Sequence, residues 1–363
     1  MVARTVFFIQ KSPALAGAQK SLLRLMQTLN ENYQPVLITG SEGWLATESC
    51  LAGIPVIVHP FPSSRSLKAL LIGNRQFARE VAEECRKYEL SGCLVHGNDH
   101  IQSLSALAIA KALQAPSVLT LRTPVMTRRD FFKYGCHRHR HVVAVGHDLH
   151  QKVCGWRSSQ PPQLIENGVA ATEISSPIKL ASTFPSSVVV PGTTKPRKGW
   201  RDLVDALVLL EKQGRGTDIE FVLLGNDYGQ NVMGTVGAAR LKIFRIRHLP
   251  LSIDFKKNVS TFTFAVHPTR AESFGMALVE MLAAGVPVLT SCTGIAPRIV
   301  TSPRFLFEPQ NSVDMAEKLG SLMADFSGAD QMVMHAQEII RNQYCVTRTA
   351  AQYMNIYARL CAV

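Results

Sequence analysis

Short apolar runs alternate with longer stretches of helical periodicity along the first half of the sequence. Runs of four or five apolar residues predict strands, and apolar positions that recur every three or four residues predict helices. The predicted strands here are Thr5–Ile9, Val36–Thr39, Pro55–Val58, Cys93–His96, Val118–Leu121 and His141–Val145. The predicted helices are Leu22–Leu29, Trp44–Ala52, Ser66–Lys87, Leu104–Leu113 and a short helix from about Asp148. Such alternation predicts a parallel sheet with helices on both faces.

The same alternation restarts in the second half, after a segment without periodicity. Between Asn167 and Ser187 serine, threonine and proline replace the apolar pattern, which predicts a hinge region. The elements predicted after it are the strands Val188–Val190, Glu220–Leu224, Lys242–Ile246, Phe264–His267 and Val286–Thr290, with the helices Trp200–Leu210 and Met276–Ala284. We therefore expect an α/β protein of two doubly wound domains that face each other across a cleft. Ligands of such sheets bind at the carboxyl ends of the strands.

Length and composition narrow the class of protein. The chain has 363 residues, of which 46% are hydrophobic and 18% charged, enough to form two domains of about 150–200 residues each and too apolar for a disordered chain. It has no apolar stretch of the roughly 18 residues that a membrane-spanning helix needs. The apolar run Val6–Ile9 is too short for a signal-peptide core, so we expect a cytoplasmic protein.

Cysteine and acidic patterns give no sign of a metal site. The eight cysteines contain no Cys-x-x-Cys pair, and no Asp-x-Asp pair occurs. Because disulfide frameworks belong to small secreted domains and zinc sites need closer spacing, we expect reduced, mostly buried cysteines. The sequence predicts neither a metal nor another cofactor.

The chain is basic, with a formal net charge of +12. The excess is concentrated in Arg122–His141, which holds six Lys and Arg residues, three His and one Asp. A basic face attracts phosphates on nucleic acid, on anionic lipid or on a nucleotide. A solvated basic surface is the alternative, and charge alone does not decide between them.

The segment from His267 to Pro287 carries the most chemical information. A predicted strand ends at His267, and the free backbone N–H groups of 274–277 predict an anion site at the start of the next helix. Glu280 is the only charge between Phe274 and Leu289, so burial on this apolar helix calls for a hydrogen-bonded partner. At the helical rise Glu272 would lie about 12 Å from it, a separation suited to gripping both ends of a nucleotide-sugar. The alternative is a capping glutamate followed by a solvated one.

This segment resembles a family signature. Glu272-x7-Glu280 with Phe274-Gly275 inside it, followed by Ala-Ala-Gly-Val-Pro-Val, is similar to the motif of glycosyltransferase family 4. Four further segments resemble other parts of that family in the family's order: the glycine loop 16–23, the Asn-Gly-Val segment 165–169, the Lys-Gly loop 191–199 and the tail helix 344–360. The resemblance covers most of the chain.

The resemblance implies a GT-B fold and a division of labour between domains. It implies an acceptor-side Rossmann-like domain over 1–168, a nucleotide-sugar-binding Rossmann-like domain over 169–344, and a helix over 345–363 that crosses back onto the first domain. Family members are retaining enzymes that use nucleotide-diphosphate sugars and need no metal.

It also implies roles for individual residues. Glu272 would bind the hydroxyls of the transferred sugar, Glu280 the ribose, and Lys198 would neutralise the leaving diphosphate, so that Glu272 and Lys198 are the candidate catalytic residues. Gly17 would let the backbone approach the diphosphate from the other domain. The full set of donor-binding candidates is Gly17, Thr193, Arg197, Lys198, Glu272, Phe274, Gly275, Met276, Ala277 and Glu280.

The chain departs from the family pattern at several positions. Thr193 stands where the family usually has an arginine after Gly192, and either Arg197 or Lys195 is the candidate replacement. On the acceptor side, the candidates are His96, Asn98, where a second histidine is usual, and Arg122, where a histidine is common. Turn or capping roles are the alternative for these three residues.

No residue is an obvious nucleophile. The family usually has a front-face mechanism, in which the leaving diphosphate oxygen takes the acceptor's proton, so the chain need not contain a dedicated base. Retention of configuration is accordingly an implication of the resemblance.

Two basic segments have specific interpretations. Phe131, Phe132 and Tyr134 are interleaved with basic residues, which predicts a surface that meets an anionic membrane or a lipid-diphosphate acceptor. The segment Arg240–His248 corresponds to a region that borders the nucleobase pocket in the family.

The sequence therefore predicts transfer of a sugar from a UDP- or GDP-sugar to a glycan or lipid-linked acceptor. Cell-surface polysaccharide or lipopolysaccharide assembly is the expected setting, with peripheral contact to the inner face of the membrane. The alternatives are a nucleotide-sugar epimerase of the same fold, a basic protein that binds nucleic acid or an anionic surface without catalysis, and an inactive family member. We expect no nucleic-acid partner, because no recognition motif accompanies the basic residues.

Overall fold

The computed structural model describes residues 3–63, 67–90, 92–157, 160–175, 183–226, 229, 231–250, 259 and 261–361. Its contacts divide the chain into two compact units. Unit 1 consists of Met1–Gly168 together with Cys345–Val363, and unit 2 is Val169–Tyr344. Each unit is described by itself.

Thirteen strands are present within the described residues. In chain order, β1 to β13 are Arg4–Gln10, Tyr33–Thr39, Val56–Val58, Leu94–Gly97, Ser117–Leu121, His141–Ala144, Gln163–Leu164, Ser187–Pro191, Glu220–Leu224, Arg245–Leu249, Ala265–His267, Val288–Ser291 and Leu306–Phe307.

Helices follow most of these strands in the described part of the chain. In the same order, α1 to α13 are Gly17–Thr28, Trp44–Leu51, Leu67–Cys85, Ser103–Ala112, Arg128–Lys133, His147–Trp156, Trp200–Lys212, Val232–Ala239, Met276–Ala283, Ala296–Ile299, Ser312–Ala324, Ala329–Gln343 and Val346–Cys361. None of the described helices is long and apolar enough to cross a membrane.

Unit 1 is built on a seven-stranded parallel sheet in the order β3-β2-β1-β4-β5-β6-β7. The central strand β1 pairs with β2 from Arg4↔Tyr33 to Gln10↔Thr39, and with β4 on its other side. Its residues Val6–Ile9 are fully buried, as expected for a parallel sheet with helices on both faces. The strand order reverses beside β1, where α/β sheets bind ligands at the carboxyl edge.

Helix α13 completes the core of unit 1. Its side chains Tyr353 and Tyr357 are fully buried and pack with α1 and the sheet. The Tyr357 hydroxyl lies 2.7 Å from Nδ1 of His96, whose Nε2 lies 2.7 Å from the Thr120 hydroxyl. That hydroxyl lies 2.9 Å from the Tyr353 hydroxyl. Four polar groups thus satisfy one another between α13 and the sheet, as burial requires.

Unit 2 is built on a six-stranded parallel sheet in the order β10-β9-β8-β11-β12-β13. Strands β8 and β11 are neighbours, so the segments that follow them leave from the same edge of the sheet. The carboxyl ends of β8 and β9 lead into loops that touch, because a Cβ on Gly225 would lie 1.7 Å from the Gly192 carbonyl oxygen. Glycine is required there for the backbones to approach so closely.

The expected α/β class with two parallel sheets is confirmed. The strand predicted at Lys242–Ile246 is shifted, because β10 is Arg245–Leu249. The carboxylate of Glu211 accepts the backbone N–H groups of Lys242, Ile243 and Phe244 at 2.8–3.1 Å. These N–H groups are therefore used by a side chain and not by the sheet.

The apolar pattern did not predict α5, α8, α10, α11, α12, β7 or β13. Residues 176–182 of the predicted hinge region lie outside the described residues. All eight cysteines are free, and five of them are partly buried or exposed, so the expectation of mostly buried cysteines is wrong. The described residues contain no group of three or more His, Cys, Asp or Glu arranged to hold a metal ion.

The Tyr357→Phe variant tests the contribution of the polar network between α13 and the sheet. Removing this hydroxyl leaves Nδ1 of the buried His96 without its partner, which costs about 1–3 kcal/mol. We expect the free energy of unfolding, measured in urea, to fall by that amount. Tyr88→Phe, at a partly buried tyrosine of the same unit, should change it far less. Equal effects of the two substitutions would contradict the role given to the network.

Candidate active site

Two loops at the carboxyl edge of the unit 2 sheet bring the strongest candidate residues together. The lysine loop (residues 192–199) follows β8 and contains Lys198, and the glutamate loop (residues 268–275) follows β11 and contains Glu272. Because β8 and β11 are adjacent parallel strands, both loops emerge at the same edge. A site at this edge is the arrangement that doubly wound sheets favour.

Gly199 allows the two loops to touch. Its φ is +70°, a left-handed conformation, and a Cβ at this position would lie 1.6 Å from the Pro268 carbonyl oxygen. Any other residue would therefore have both backbone strain and a backbone overlap. The lysine loop lies directly against the start of the glutamate loop for this reason.

Hydrogen bonds hold the two loops in register. The Arg197 carbonyl oxygen accepts the Arg270 N–H at 2.8 Å and the Thr269 hydroxyl at 3.3 Å. The Arg270 guanidinium donates two hydrogen bonds, at 2.8 and 2.5 Å, to the buried carboxylate of Asp202 on α7. Bidentate charge-assisted pairs of this kind are strong and directional. The loops are thus fixed both to each other and to the helix beneath them.

The Lys198 ammonium donates a hydrogen bond to Oε1 of Glu272. Both side chains are largely buried, with 14% and 13% of their surface exposed. The same carboxylate oxygen accepts the Thr269 hydroxyl at 3.2 Å, and Nη1 of Arg197 lies 3.8 Å away. Two of the candidates, Lys198 and Glu272, therefore form one ion pair, with Arg197 beside it.

The charges around Glu272 keep it ionised. Burial by itself raises its pKa. The nearby Lys198 ammonium, His267 and the Arg197 guanidinium lower the pKa by more than burial raises it, to about 2. His267, which ends β11, is buried, and this burial together with the Lys198 charge lowers its pKa to about 4. At neutral pH the site therefore holds an anionic carboxylate next to a neutral imidazole.

Helix α9 begins at Met276, after Gly275 with φ +108°. Glu272 thus lies outside the helix, so the distance of about 12 Å expected from the helical rise does not apply. Phe274 and Met276 have buried side chains, and Ala277 is partly buried. Phe274 packs edge-on against Tyr344. Because the side chains of Phe274 and Met276 are buried, a ligand at these two positions would meet the backbone. Half-buried Glu280 lies on α9.

Thr193 lies beside a small pocket in unit 2. Gly192, Thr193, Lys198, Trp200 and His248 line this pocket together with Val190, Pro191, Thr194 and Leu223. The hydroxyl oxygen of Thr193 is buried and has no hydrogen-bond partner among the described residues. His248 belongs to the basic segment Arg240–His248, which was expected near the nucleobase. In the structure it lines the same pocket as residues of the lysine loop.

Two arginines of that basic segment are paired with acidic residues. Arg245 lies 2.8 Å from Asp218 and Arg247 lies 2.9 Å from Glu220. Lys195, the second candidate to replace the family arginine, is exposed on the lysine loop. Its pKa is lowered by partial burial and by the charges of Arg197 and Lys198.

In unit 1 the acceptor-side candidate His96 lies in the core and not at a surface. Its side chain is fully buried, and Tyr357 and Thr120 occupy its two ring nitrogens. Burial and the charge of Arg122 hold its pKa well below the usual value. The expectation that His96 meets an acceptor is therefore wrong for this structure, where it connects α13 to the sheet.

Asn98 and Arg122 belong to a chain of hydrogen bonds along the carboxyl ends of β1, β4 and β5. The amide of buried Asn98 donates to Gln10 at 2.6 Å and accepts from Nε of Arg122 at 2.7 Å. Nη1 of Arg122 donates to Asn167 at 2.8 Å. Gln10 and Asn167 were not recognised from the sequence as part of this edge, although Gln10 directly follows a predicted strand. Asn98 is fully buried, so only Arg122 of this pair reaches the surface.

Asp99 fixes the next turn of this edge. Its carboxylate accepts the backbone N–H groups of His100 at 2.8 Å and Arg122 at 3.1 Å, and the Thr123 hydroxyl at 2.6 Å. Burial raises its pKa, but these contacts and His100 lower it overall. Asp99 is therefore an ionised turn residue that positions Arg122.

The basic segment Arg122–His141 has less exposed apolar surface than the sequence predicts. Phe131 is fully buried in the core of unit 1, which corrects its interpretation as an interfacial residue. Phe132 is 41% exposed, with the Arg128 guanidinium 5.7 Å from its ring centroid, and Lys133 lies 5.2 Å from the Tyr134 ring. Each of these two aromatic rings therefore has one cation near it.

Gly17 is the first residue of α1 and is exposed. Its φ lies outside the left-handed region, so the backbone conformation does not by itself require glycine.

Comparison with protein families decides the class. Residues 15–173 match the model of Glycosyltransferase Family 4, and residues 185–325 match that of Glycosyl transferases group 1. The chain belongs to the family 4-like glycosyltransferases of the GT-B fold. This glycosyltransferase therefore carries its Lys198–Glu272 pair within the group 1 segment. No curated protein matches its sequence.

Solved structures share the fold of the glycosyltransferase along nearly its whole length. HepE of Anabaena in complex with UDP and glucose has a TM-score of 0.80 at 17% identity, over 97% of this chain and 99% of that one. Sucrose-phosphate synthase of Thermosynechococcus elongatus has a TM-score of 0.77 at 16% identity, over 99% of both chains. The lipopolysaccharide outer core galactosyltransferase WaaB has a TM-score of 0.69 at 15% identity, over 98% and 100%.

Gly199→Ala tests the contact between the two loops. Gly214→Ala is the matched control, because Gly214 has nearly the same φ, +69°, and a Cβ added there would have nothing within 4 Å. Backbone strain costs about 1 kcal/mol in both variants, and only Gly199→Ala adds the overlap with Pro268. We expect Gly199→Ala to lower the free energy of unfolding by at least about 2 kcal/mol more than the control. Similar losses in chemical denaturation would contradict the contact.

Proposed function

We propose that this glycosyltransferase moves a sugar from a UDP- or GDP-sugar to a glycan or lipid-linked acceptor, with retention of configuration. The proposed setting is cell-surface polysaccharide or lipopolysaccharide assembly. The observation that carries the proposal is the ion pair of Lys198 and Glu272 at the carboxyl edge of the unit 2 sheet. A cation and an anion held side by side suit a substrate in which a diphosphate adjoins a sugar.

In this proposal Lys198 binds the diphosphate and stabilises the negative charge that develops as it leaves. Such stabilisation is the main catalytic task in this reaction, and a largely buried ammonium is more effective than an exposed one. Glu272 accepts hydrogen bonds from the sugar hydroxyls, for which it has to be ionised. The cations that hold its pKa near 2 supply that condition.

Glu280 and the start of α9 complete the proposed donor site. We assign the ribose hydroxyls to Glu280, and the diphosphate to the backbone N–H groups near Gly275 at the helix N-terminus. Gly17 in unit 1 stays a proposed diphosphate contact. For the acceptor we retain Arg122, with Asn98 as the residue that holds its guanidinium in place.

We propose that the new bond forms and the old bond breaks on the same face of the sugar, which retains the configuration. The acceptor oxygen bonds to the anomeric carbon on the face from which the diphosphate oxygen departs, and that oxygen takes the acceptor's proton. The nucleoside diphosphate then leaves, so the step needs no protein base. We also propose that the Lys198 ammonium takes the place of a metal ion at the diphosphate.

Two similar proteins support the choice of donor and acceptor. HepE has been solved with UDP and glucose, and WaaB is a lipopolysaccharide galactosyltransferase. Both likenesses concern the fold, so they favour a UDP-sugar and a cell-surface acceptor without deciding either.

Thermal stabilisation by UDP-, GDP-, ADP- and TDP-sugars tests the donor site. A ligand at about 100 times its Kd should add roughly 2.7 kcal/mol to stability, which gives a measurable rise in Tm. We expect one nucleotide to stabilise the wild type and Glu280→Ala to reduce that shift. Glu338→Ala, at an exposed glutamate of α12, should leave it unchanged.

No stabilisation of the wild type by any nucleotide-sugar would overturn the proposal. If Glu280→Ala and Glu338→Ala reduced the Tm shift equally, the assignment of Glu280 to the donor site would be wrong. Once the donor is known, the anomeric configuration of the product, read by NMR, tests retention directly.

We further propose that the Arg122–His141 surface contacts anionic lipid. Exposed Phe132 has the Arg128 guanidinium 5.7 Å from its ring centroid, and Arg129 and Lys133 are further cations of the same helix, α5. An aromatic ring among cations is typical of proteins that bind at the membrane interface. Phe131 does not contribute, because it is buried.

Changing Arg128, Arg129 and Lys133 together to glutamine should weaken binding to vesicles rich in phosphatidylglycerol. Each cation near such a surface contributes about 1 kcal/mol, so the partition coefficient should fall roughly a hundredfold. Replacing Arg240, Arg245 and Arg247 by glutamine removes the same charge from unit 2 and serves as the control. Equal co-sedimentation of the two triple variants would contradict this docking surface.

A further inference from the structure

Arg197 has a defined place that the proposed function does not yet use. Its carbonyl oxygen is held by Thr269 and by the Arg270 N–H, and Nη1 lies 3.4 Å from the Ala271 carbonyl oxygen. The backbone on which its side chain is mounted is thus fixed against the glutamate loop. Its guanidinium, 38% exposed, lies 3.8 Å from Oε1 of Glu272, just beyond hydrogen-bond distance.

The proposed function gives Lys198 two partners that compete for it. In this structure its ammonium is hydrogen-bonded to Glu272, whereas in the reaction it is assigned to the diphosphate. A diphosphate carries more negative charge than a carboxylate, so it draws the ammonium toward itself. Glu272 then loses its nearest cation at the moment when it has to accept hydrogen bonds from the sugar.

We propose that Arg197 is a positioning residue that takes over the Glu272 carboxylate when the donor's diphosphate draws Lys198 away. A movement of less than 1 Å brings its Nη1 from 3.8 Å to hydrogen-bond distance. The inference rests on the proposed function, because it assumes a diphosphate donor at Lys198. It identifies what keeps Glu272 anionic in the donor complex.

Arg197 suits this task better than Lys195, the other cation of the loop. Lys195 is exposed, and its carbonyl oxygen accepts the Lys198 N–H at 2.9 Å, so its backbone faces the loop's own turn. Guanidinium stays charged at all accessible pH values and meets a carboxylate with a fixed, planar donor set. Arg197 is therefore assigned to the Glu272 carboxylate. Which residue replaces the family arginine missing at Thr193 is a separate question.

The other described groups around Glu272 supply no substitute cation. The lysine loop contributes Lys198 and Arg197, β11 contributes His267, and the glutamate loop contributes the Thr269 hydroxyl. The turn after β12 contributes Gly294, where an added Cβ would lie 3.0 Å from Cβ of Glu272. Burial is the largest cause that lowers the pKa of His267, so its imidazole is a poor substitute for a permanent cation. Without Arg197, burial would therefore raise the pKa of Glu272 in the donor complex.

The test compares Arg197→Gln, Arg197→Lys and Arg201→Gln with the wild type. Arg201 is an exposed residue of α7 that stacks on Trp200, and it provides the same substitution outside the site. The Kd values of UDP and UDP-glucose, or of GDP and GDP-mannose if the wild type prefers guanine, are measured by calorimetry from pH 5 to 8. The ratio of the two Kd values isolates the sugar contact from the nucleotide contact.

The terminal phosphate of UDP has a second pKa of about 6, and UDP-glucose has no such group, so the ratio itself changes with pH. We expect the wild type and Arg201→Gln to show the same pH dependence, which serves as the baseline for the other variants. In Arg197→Gln the sugar's contribution, taken relative to the wild type at the same pH, should fall about fivefold or more between pH 7 and pH 5, because Glu272 becomes protonated in the complex as the pH falls. Arg197→Lys keeps a cation and should restore most of it. A merely structural role would weaken both ligands alike and leave the pH dependence of the ratio as it is in the wild type.

The outcomes separate this inference from the proposed function. Failure of the wild type to bind either nucleotide pair would overturn the proposed function and the role of Arg197 with it. Normal wild-type binding, with the same pH dependence of the ratio in Arg197→Gln as in the wild type, would overturn the role of Arg197 alone. A loss at low pH that Arg197→Lys does not restore would also overturn it, because the effect would then not depend on the cation.

Discussion

The contact between the lysine loop and the glutamate loop is the constraint on which the candidate site depends. The Gly199 backbone lies against the Pro268 carbonyl oxygen with no room for a side chain. This contact places residues that are 74 positions apart in sequence within hydrogen-bond distance of each other. Asp202 and Arg270 then fix the same contact to α7. The site therefore depends on the adjacent carboxyl ends of β8 and β11, and neither loop forms it alone.

Electrostatics gives that contact its chemistry. Three cations lie within four residues of the lysine loop, next to one carboxylate of the glutamate loop. The local excess of positive charge favours an anionic ligand, while burial strengthens each charge–charge interaction. The neutral His267 beside them adds no charge to this balance at neutral pH. Such an arrangement is ready to receive a diphosphate without first creating new charge.

The sequence was sufficient for the sheet class and for most strands of both units, because buried parallel strands are nearly continuous apolar runs. It also singled out Lys198 and Glu272 as candidates, since the family motif marks them. It did not predict that they pair, because that depends on the neighbouring position of β8 and β11. His96 was misplaced for the same kind of reason: its partner Tyr357 lies 261 residues further along the chain. The shift of β10 follows from the Glu211 carboxylate, which no local pattern reveals.

Unit 1 is discontinuous in sequence, and this has a consequence for how the chain is made. Helix α13 is synthesised only after all of unit 2, yet its tyrosines fill the core beside β1 and cover His96. During translation the first 168 residues therefore lack part of their core until about 180 further residues have been added. Unit 2 is continuous in sequence, so its core does not depend on a segment that is synthesised later. The part of the chain that is made first is thus the part whose core is completed last.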